Sequence, residues 1–490
     1  MKSLSFITEK LNKNANEQLV HFMVLLYSVS TGEVTPQQIF HIGGKTNYGE
    51  FSKSFEKIYT FGVDWRYGLA KASEIISSTK NNADNQISRF LLRLAQVIRL
   101  GDKLSDYFKM EMELVLQNYY TTYQRNMESL KMILGMYTAI MSISAFMISA
   151  TSIINMLTGD DSSVTFVMTL IGVLVSLGMF VMVMYVMFPR DILVNEDSIE
   201  AGKLKTWIYL AIVSSIGITV VSFMVESIPT LLGMAIAGIP FLVPGHKARK
   251  LEMKIKRIDD WYPPFVKDFG SVFNTVGTIK ESLRAMMRSD FDAITPHLSN
   301  FLHRSLNKIP FDISLELFSK ESGSSLIKSG NTIITHSIKK GSDMAAVGIA
   351  IHAVFTRINE LRKMREQTTK SFLSMILILH ILTLMVFAFM TRLSFVFTDL
   401  FSQMEGAETV FSFSPIDPIL VKSLLPTILV GFSVMNSLAI KVGEGGLYKT
   451  GFYHLGILMI IGGVALYGAD YMMANIVTNQ SINLTAITNG

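Results

Sequence analysis

The chain has 490 residues, of which 49% are hydrophobic and 17% charged, and its formal net charge is +5. With a mean hydropathy of +0.38, this is too apolar for an ordinary soluble protein and points to an integral membrane protein. It has no cysteine, which excludes disulfides, thiolate metal sites and cysteine nucleophiles.

Residues 1–17 form a polar tail with Lys2, Lys10 and Lys13 but no apolar core and no small-residue cleavage site. The segment does not read as a signal peptide, so insertion is expected to rely on internal spans.

Residues 18–131 read as a first cytoplasmic helical domain. Its stretch "IGGKTNYG" holds Gly44-Lys45-Thr46, the end of a phosphate-binding loop. Ile39 stands where that motif needs its first glycine, and no buried strand precedes it, so no nucleotide site and no cofactor are expected. After Gly62, "VDWRYGLAKASEII" places Asp64 to cap an apolar helix. "VIRLGDKLSDYF" then sets Gly101 as the turn between two helices, flanked by Arg89, Arg93, Arg99 and Lys103. Leu104, Phe108, Met112, Val115, Tyr119 and Tyr123 follow at steps of three and four, a ridge for helix packing. No proline falls between Pro36 and Pro189, so this helix is expected to run unbroken into the bilayer.

Residues 132–188 supply two transmembrane helices, 189–205 a cytoplasmic linker and 206–245 two more helices. A single helix over 206–245 would be roughly 60 Å long, twice the ~30 Å hydrocarbon core, so two crossings turning near Glu226, Ser227 and Pro229 are expected.

Residues 246–370 read as a second cytoplasmic domain that repeats the first. "FDISLELFSKES" follows Pro310 with Asp312 as its capping acid, and "SIKKGSDMAAVG" returns the turn phrase with Gly341. Lys339, Lys340, Arg357, Arg362, Lys363 and Arg365 cluster beside it. Met344, Val347, Ile351, Val354, Ile358 and Leu361 form the matching seam, and no proline interrupts the chain from Pro310 to Pro415. Such helices are either static stalks or mechanical couplings between cytoplasm and bilayer.

Three further spans are expected at 371–393, 419–440 and 450–474, with an external loop at 394–418 and an external tail at 475–490. The tail carries two sequons, at Asn479 and Asn483, which are chance matches or glycosylation sites. Basic residues concentrate in the first domain, the 189–205 linker, the second domain and the Lys441–Lys449 turn, which are therefore placed inside. The expected fold is all-α and polytopic, with seven transmembrane helices, two homologous cytoplasmic helical bundles, the N-terminus inside and the C-terminus outside.

No catalytic constellation emerges. His380 lies mid-span, where interhelical hydrogen bonding competes with a functional role, and His454 lies near a span entrance. Glu226, Arg392, Lys422 and Asp470 sit near external ends, so no intramembrane charge pair marks an ion path, which weighs against a secondary transporter. The basic clusters are either solvated faces that set topology or a docking surface for an acidic partner; nucleic acid is not indicated.

Two cytoplasmic bundles, each with a glycine-centred turn and a long helix entering the membrane, resemble the type II secretion system F domain, present twice. Four spans between the copies and three after the second, with the stretch "RLGDKLSDYFKMEMELVLQNYYTTYQRNMESLKMILGMYTAIMSIS" from Arg99 to Ser144, resemble the archaeal platform proteins, above all that of the archaellum. The resemblance implies a non-enzymatic membrane platform at the base of a type IV pilus-like filament. Its partners would be a hexameric secretion ATPase, pilin-like archaellin subunits, other archaellum motor components, membrane lipid and a second copy in a homodimer. The platform of an archaeal adhesive pilus is the alternative. The ATPase-facing positions would be Arg89, Arg93, Arg99, Lys103, Lys339, Lys340, Arg357 and Arg362.

Overall fold

A computed structural model of the chain describes residues 17–79, 86–158, 162–188, 191–195, 199–225, 229–402 and 418–488. Among them the regular structure is helical, and the single β feature is an isolated antiparallel bridge between Val194 and Ser324. The chain divides into two compact units.

The first unit comprises Met1–Arg125, Asp191–Glu200 and Glu252–Lys363. It opens with α1 (Glu17–Ser30), which is buried on almost every side. A helix apolar all round has to sit inside a core, and α1 does: Phe22 meets Phe55 edge-on at 4.9 Å, and His21 lies 5.1 Å from Phe355. Next come α2 (Pro36–Lys45) and α3 (Glu50–Tyr59). Thr35 and Gln38 form a reciprocal capping box at the start of α2, with Pro36 pre-set for its first turn.

The backbone then makes a π turn over Thr60–Asp64, and α4 (Leu69–Thr79) begins only at Leu69. Asp64 therefore lies inside the π turn and does not cap α4, contrary to the expectation from sequence. The turn is closed by Tyr67 N–H to Phe61 O and Gly68 N–H to Gly62 O, and Gly68 at φ +81° takes a conformation that disfavours other residues. Helix α5 (Gln86–Leu100) leads through Gly101 to α6 (Leu104–Thr158), a single helix of 55 residues.

After α7 (Ser162–Met187) and α8 (Ile199–Met224), the short α9 (Thr230–Ala237) ends at Gly238 and α10 (Ile239–Val276) begins. Pro240 in the first turn of α10 lacks the amide that would continue α9, which accounts for the break. Helix α10 then runs on through Pro263 and Pro264. Pro263 cannot donate to the carbonyl of Asp259, and Asn359 Nδ2 donates to that oxygen instead at 2.7 Å.

The first unit is completed by α11 (Ile279–Met286), α12 (Thr295–Leu306), α13 (Phe311–Ser322), α14 (Ser325–Lys339) and the start of α15 (Met344–Ser402). The seam expected on α15 is fully interior: Met344, Val347, Ile351, Val354, Ile358 and Leu361 are all buried. On α6, Phe108, Met112, Tyr119 and Tyr123 are buried while Leu104 and Val115 are half-buried. Asn331 of α14 ties this core together, accepting from Tyr262 Oη at 2.8 Å and donating to Leu315 O and Ser319 Oγ.

The second unit comprises Asn126–Arg190, Ala201–Leu251 and Met364–Gly490, including α16 (Pro418–Glu444) and α17 (Gly451–Thr488). Among the described residues, seven helices are long and apolar enough to cross a membrane. Met168, Ile171, Val175, Met179 and Met182 form an exposed apolar stripe on α7, as a lipid-facing surface requires. The crossings on α6 and α15 belong to helices that continue unbroken into charged sequence, and the crossing shared by α9 and the first turns of α10 breaks at Gly238 before α10 runs on into charged sequence. The sequence pointed to the first two, whereas α10 is hidden by its four prolines. Helix α17 extends to Thr488, so the backbones of Asn479 and Asn483 fall on its last turns; nothing further is described there. The 394–418 loop, expected to be external, lies mostly outside the described residues, as do residues 1–16 and Glu226.

Candidate docking surface

Both repeated phrases form helix-to-helix turns. Gly101 (φ +75°) joins α5 to α6 and Gly341 (φ +63°) joins α14 to α15. Asp343 caps α15, its Oδ1 accepting from the amides of Ala345 (3.0 Å) and Ala346 (3.2 Å). The end of α1 lies against the Gly341 turn. Gly32, just past α1, lies so close to the carbonyl of Lys340 that a Cβ would approach it to 2.5 Å. Tyr27, one turn earlier, has its hydroxyl pushed up by burial and by Asp343, Glu113 and Asp106, acids from both sides.

The basic residues named from sequence fall into two groups. Arg93, Arg99 and Lys339 are exposed and Arg357 is half-buried, but each is matched to an acid: Glu111, Glu74, Asp312 (2.9 Å) and Glu360 (2.9 Å) respectively. Arg357 also lies over the Tyr120 ring at 3.6 Å. Asp312 sits within the first turn of α13, where its carboxylate accepts from the Ile313 amide and is held below its usual range chiefly by Lys339. Lys103 and Lys340 have no ion-pair partner among the described residues, Lys103 being exposed and Lys340 half-buried. Arg89 is exposed on α5 and borders, with Arg93, a cavity of about 110 Å³ floored by Leu19, Met23 and Phe90.

Arg362 is placed differently. Its side chain is only 12% exposed, and its guanidinium lies 2.8 Å from Glu17 and 3.5 Å from Asp259 in the interior. Burial raises the Glu17 carboxyl and pushes Asp259 up to about 7, against the pull of Arg362. Burial pushes the neighbouring His21 down to about 3. Ser324 Oγ donates to Asp259 and also caps α14, so this cluster joins α1, α10, α14 and α15. Arg365 is buried too, donating from Nε and Nη2 to the carbonyls of Gly443 and Val442 at the end of α16. Neither the buried destination of Arg362 nor the acids paired with the other arginines is visible in a charge run; both arise from contacts between distant helices.

The remaining motif resolves structurally. Gly43 and Gly44 lie inside α2, where a Cβ would come within 2.7 Å of Phe55 and 2.9 Å of the Glu56 backbone. Those glycines permit close packing of α2 on α3, and Lys45 ends a helix where a phosphate loop would begin one. Among the described residues no group of three His, Asp or Glu is placed to hold a metal ion.

In the second unit His380 sits in a polar chain within the spans. Tyr137 Oη donates to Asn436 Oδ1 at 2.8 Å, Asn436 Nδ2 lies 3.1 Å from His380 Nδ1, and His380 Nε2 lies 3.1 Å from the Leu458 carbonyl. Each atom of the chain has its partner, the arrangement of an interhelical tie. Arg392 and Asp470, read separately in the sequence, form a two-pronged ion pair at 2.7 and 3.1 Å.

The signature of the family "Type II secretion system (T2SS), protein F" matches residues 22–151, from within α1 to the membrane portion of α6. Those residues carry a type II secretion F domain. It is 24% identical over 474 residues to Flagella accessory protein J of Methanocaldococcus jannaschii, covering 92% of this chain and 84% of that one. It is 23% identical over 465 residues to Flagella accessory protein J of Methanococcus voltae, covering 90% and 81%. No solved structure matches it. The F-domain match takes in the Gly101 turn and the first basic cluster, and the similarity to the two flagella accessory proteins runs over about nine-tenths of the chain.

Proposed function

We propose that this F-domain protein is the membrane platform of an archaellum, docking a hexameric motor ATPase on its cytoplasmic face and converting the ATPase cycle into insertion of archaellin subunits and rotation of the filament. The observation that carries the reading is the similarity to Flagella accessory protein J across 92% of the chain. The geometry supports the coupling: α6 and α15 each pass without a break from charged sequence into an apolar span, and a helix transmits displacement along its axis better than a loop. On this reading the second bundle is a repeat of the first, the N-terminus is cytoplasmic and the C-terminus external, the platform acts as a homodimer, and the chain has no catalytic site of its own.

The docking face centres on the two turns. Lys103 and Lys340 supply uncompensated charge, while Arg93, Arg99 and Lys339 form a rim whose acid partners an incoming carboxylate would have to displace, with Arg89 exposed beside them. Arg362 holds the interior and is not part of that face. The test is association of the full-length protein in nanodiscs with its cognate hexameric ATPase. Lys103→Glu combined with Lys340→Glu is expected to weaken binding at least ~10-fold at low salt, with a smaller difference at high salt. If the ATPase never associates with the unmodified platform, the reading fails.

A further inference from the structure

The second unit carries a built cationic site whose ligand is chemically legible. Helices α8, α9, α10 and α17 share one packed core in the apolar zone. Ala211, Ala237, Phe241 and Met459 form their common core, and Phe241 stacks on Phe452 at 5.9 Å. Each of the two seams is an antiparallel ladder. Along one, Ser222 faces Gly233 and Ser215 Oγ donates to Ala237 O at 2.8 Å. Along the other, Gly463 meets Ala235, Gly456 meets Leu242, and Gly245 lies against the Tyr453 backbone.

Both ladders end in the same way. The last rung of the first is Lys247, whose ammonium lies 3.1 Å from the centre of the Trp207 ring. The last rung of the second is Arg249, whose guanidinium lies 4.6 Å from the centre of the Tyr453 ring. Just beyond them, Lys205 of α8 is near enough to Lys449 for their charges to interact. Lys205, Lys247 and Arg249 have no carboxylate partner among the described residues. The nearby acid Glu444 is engaged by Lys441 (3.7 Å) and His454 (3.2 Å).

Position identifies what would neutralise these cations. Lys205 immediately precedes the charge-free run that starts at Thr206, and Lys247 follows closely on the run that ends at Gly245. The cations therefore stand where apolar spans meet the polar layer, the depth at which tryptophan and tyrosine rings settle and lipid phosphates lie. A cation over an aromatic face keeps much of its charge available on its other side, because the ring offers a quadrupole and not a counter-ion.

We propose that Lys205, Lys247 and Arg249, framed by Trp207 and Tyr453, bind the headgroup phosphate of an anionic phospholipid, locking α8, α10 and α17 together at that end. The site is independent of the ATPase reading and of the turns around Gly101 and Gly341.

The test uses the full-length protein in neutral detergent, with lipid retention read by native mass spectrometry and stability by thermal unfolding. Phosphatidylglycerol is compared with phosphatidylcholine of the same acyl chains, and with glycerol phosphate as a soluble headgroup. Retention of phosphatidylglycerol, a rise in Tm with that lipid alone, and no competition by glycerol phosphate are expected. Each cation removed should lower retention about 5-fold. Lys247→Gln with Arg249→Gln is the strong variant, and Lys205→Gln, at an exposed position, decides if the strong one does not fold. Lys280→Gln, exposed in the first unit, is the control. Equal retention of the two lipids, displacement by glycerol phosphate, or a Lys205→Gln protein indistinguishable from the control would each overturn the proposal.

Discussion

Arg362 Nη1 lies 3.5 Å from Asp259 Oδ2, both side chains are buried, and Glu17 completes the cluster from the other side of the guanidinium. Truncating the cation alone would leave two acids in the interior. Arg362→Met is therefore expected to destabilise the protein by roughly 3–5 kcal/mol, whereas Glu17→Gln, which leaves the Asp259 contact, should do less. Thermal unfolding of the full-length variants in detergent ranks them; a neutral Arg362→Met would show that the cluster contributes nothing.

The same cluster predicts a pH dependence. Asp259 titrates at about 7 in the folded protein because burial raises it, while in the unfolded chain it returns to the ordinary carboxylate range. The folded state thus holds the proton more tightly than the unfolded one. The associated stability is present below the unfolded value and is lost as pH rises through about 7. Wild type should accordingly gain stability relative to Asp259→Asn as pH falls from 8 to 5. Parallel Tm profiles for the two proteins would rule this out.

Gly270 of α10 faces the backbone of α15, where a Cβ would come 2.1 Å from the Met344 carbonyl, and Gly348 makes a similar approach to Val266 O. No rotamer relieves a clash with backbone, so Gly270→Ala is expected to lose at least ~1–3 kcal/mol, the range for overpacked cores. Gly341→Ala makes a useful contrast. Its Cβ would meet nothing, but φ is +63°, so only backbone strain of ~1–2 kcal/mol is expected, and Gly341→Asn should recover part of it. Chemical denaturation separates the cases by the size of the loss.

Periodicity carried most of what the sequence disclosed. The steps from Met344 to Leu361 identify a buried seam because a helix repeats its face every three to four residues, and charge-free length identifies a span because the bilayer has a fixed thickness. What stayed hidden depends on contacts between distant segments. Pro263 and Pro264 argue locally against a helix, and only Asn359, from another helix, supplies the donor that lets α10 continue. Asp64 looked like a cap because caps precede apolar runs, but the chain made a π turn first. The eight candidate docking cations were legible as a charge cluster. That Arg362 faces inward follows from where Glu17 and Asp259 fold.

The polar chain through the spans gives the last prediction. Tyr137, Asn436 and His380 come from α6, α16 and α15, and the Leu458 carbonyl adds α17. Asn436 links the others, because its carbonyl oxygen accepts from Tyr137 while its amide nitrogen faces the His380 ring. Loss of the tyrosine hydroxyl alone should matter little, since the Asn436 oxygen is then the only group left without its donor. Loss of Asn436 strands both Tyr137 and His380 among apolar side chains. A double-mutant cycle of Tyr137→Phe and Asn436→Leu, measured by unfolding in bicelles, should give a coupling of about 0.6–1.7 kcal/mol, the range for interhelical hydrogen bonds in membranes. Additive effects would mean that the two side chains are neighbours without being partners, and the tie would then rest on His380 and the Leu458 carbonyl.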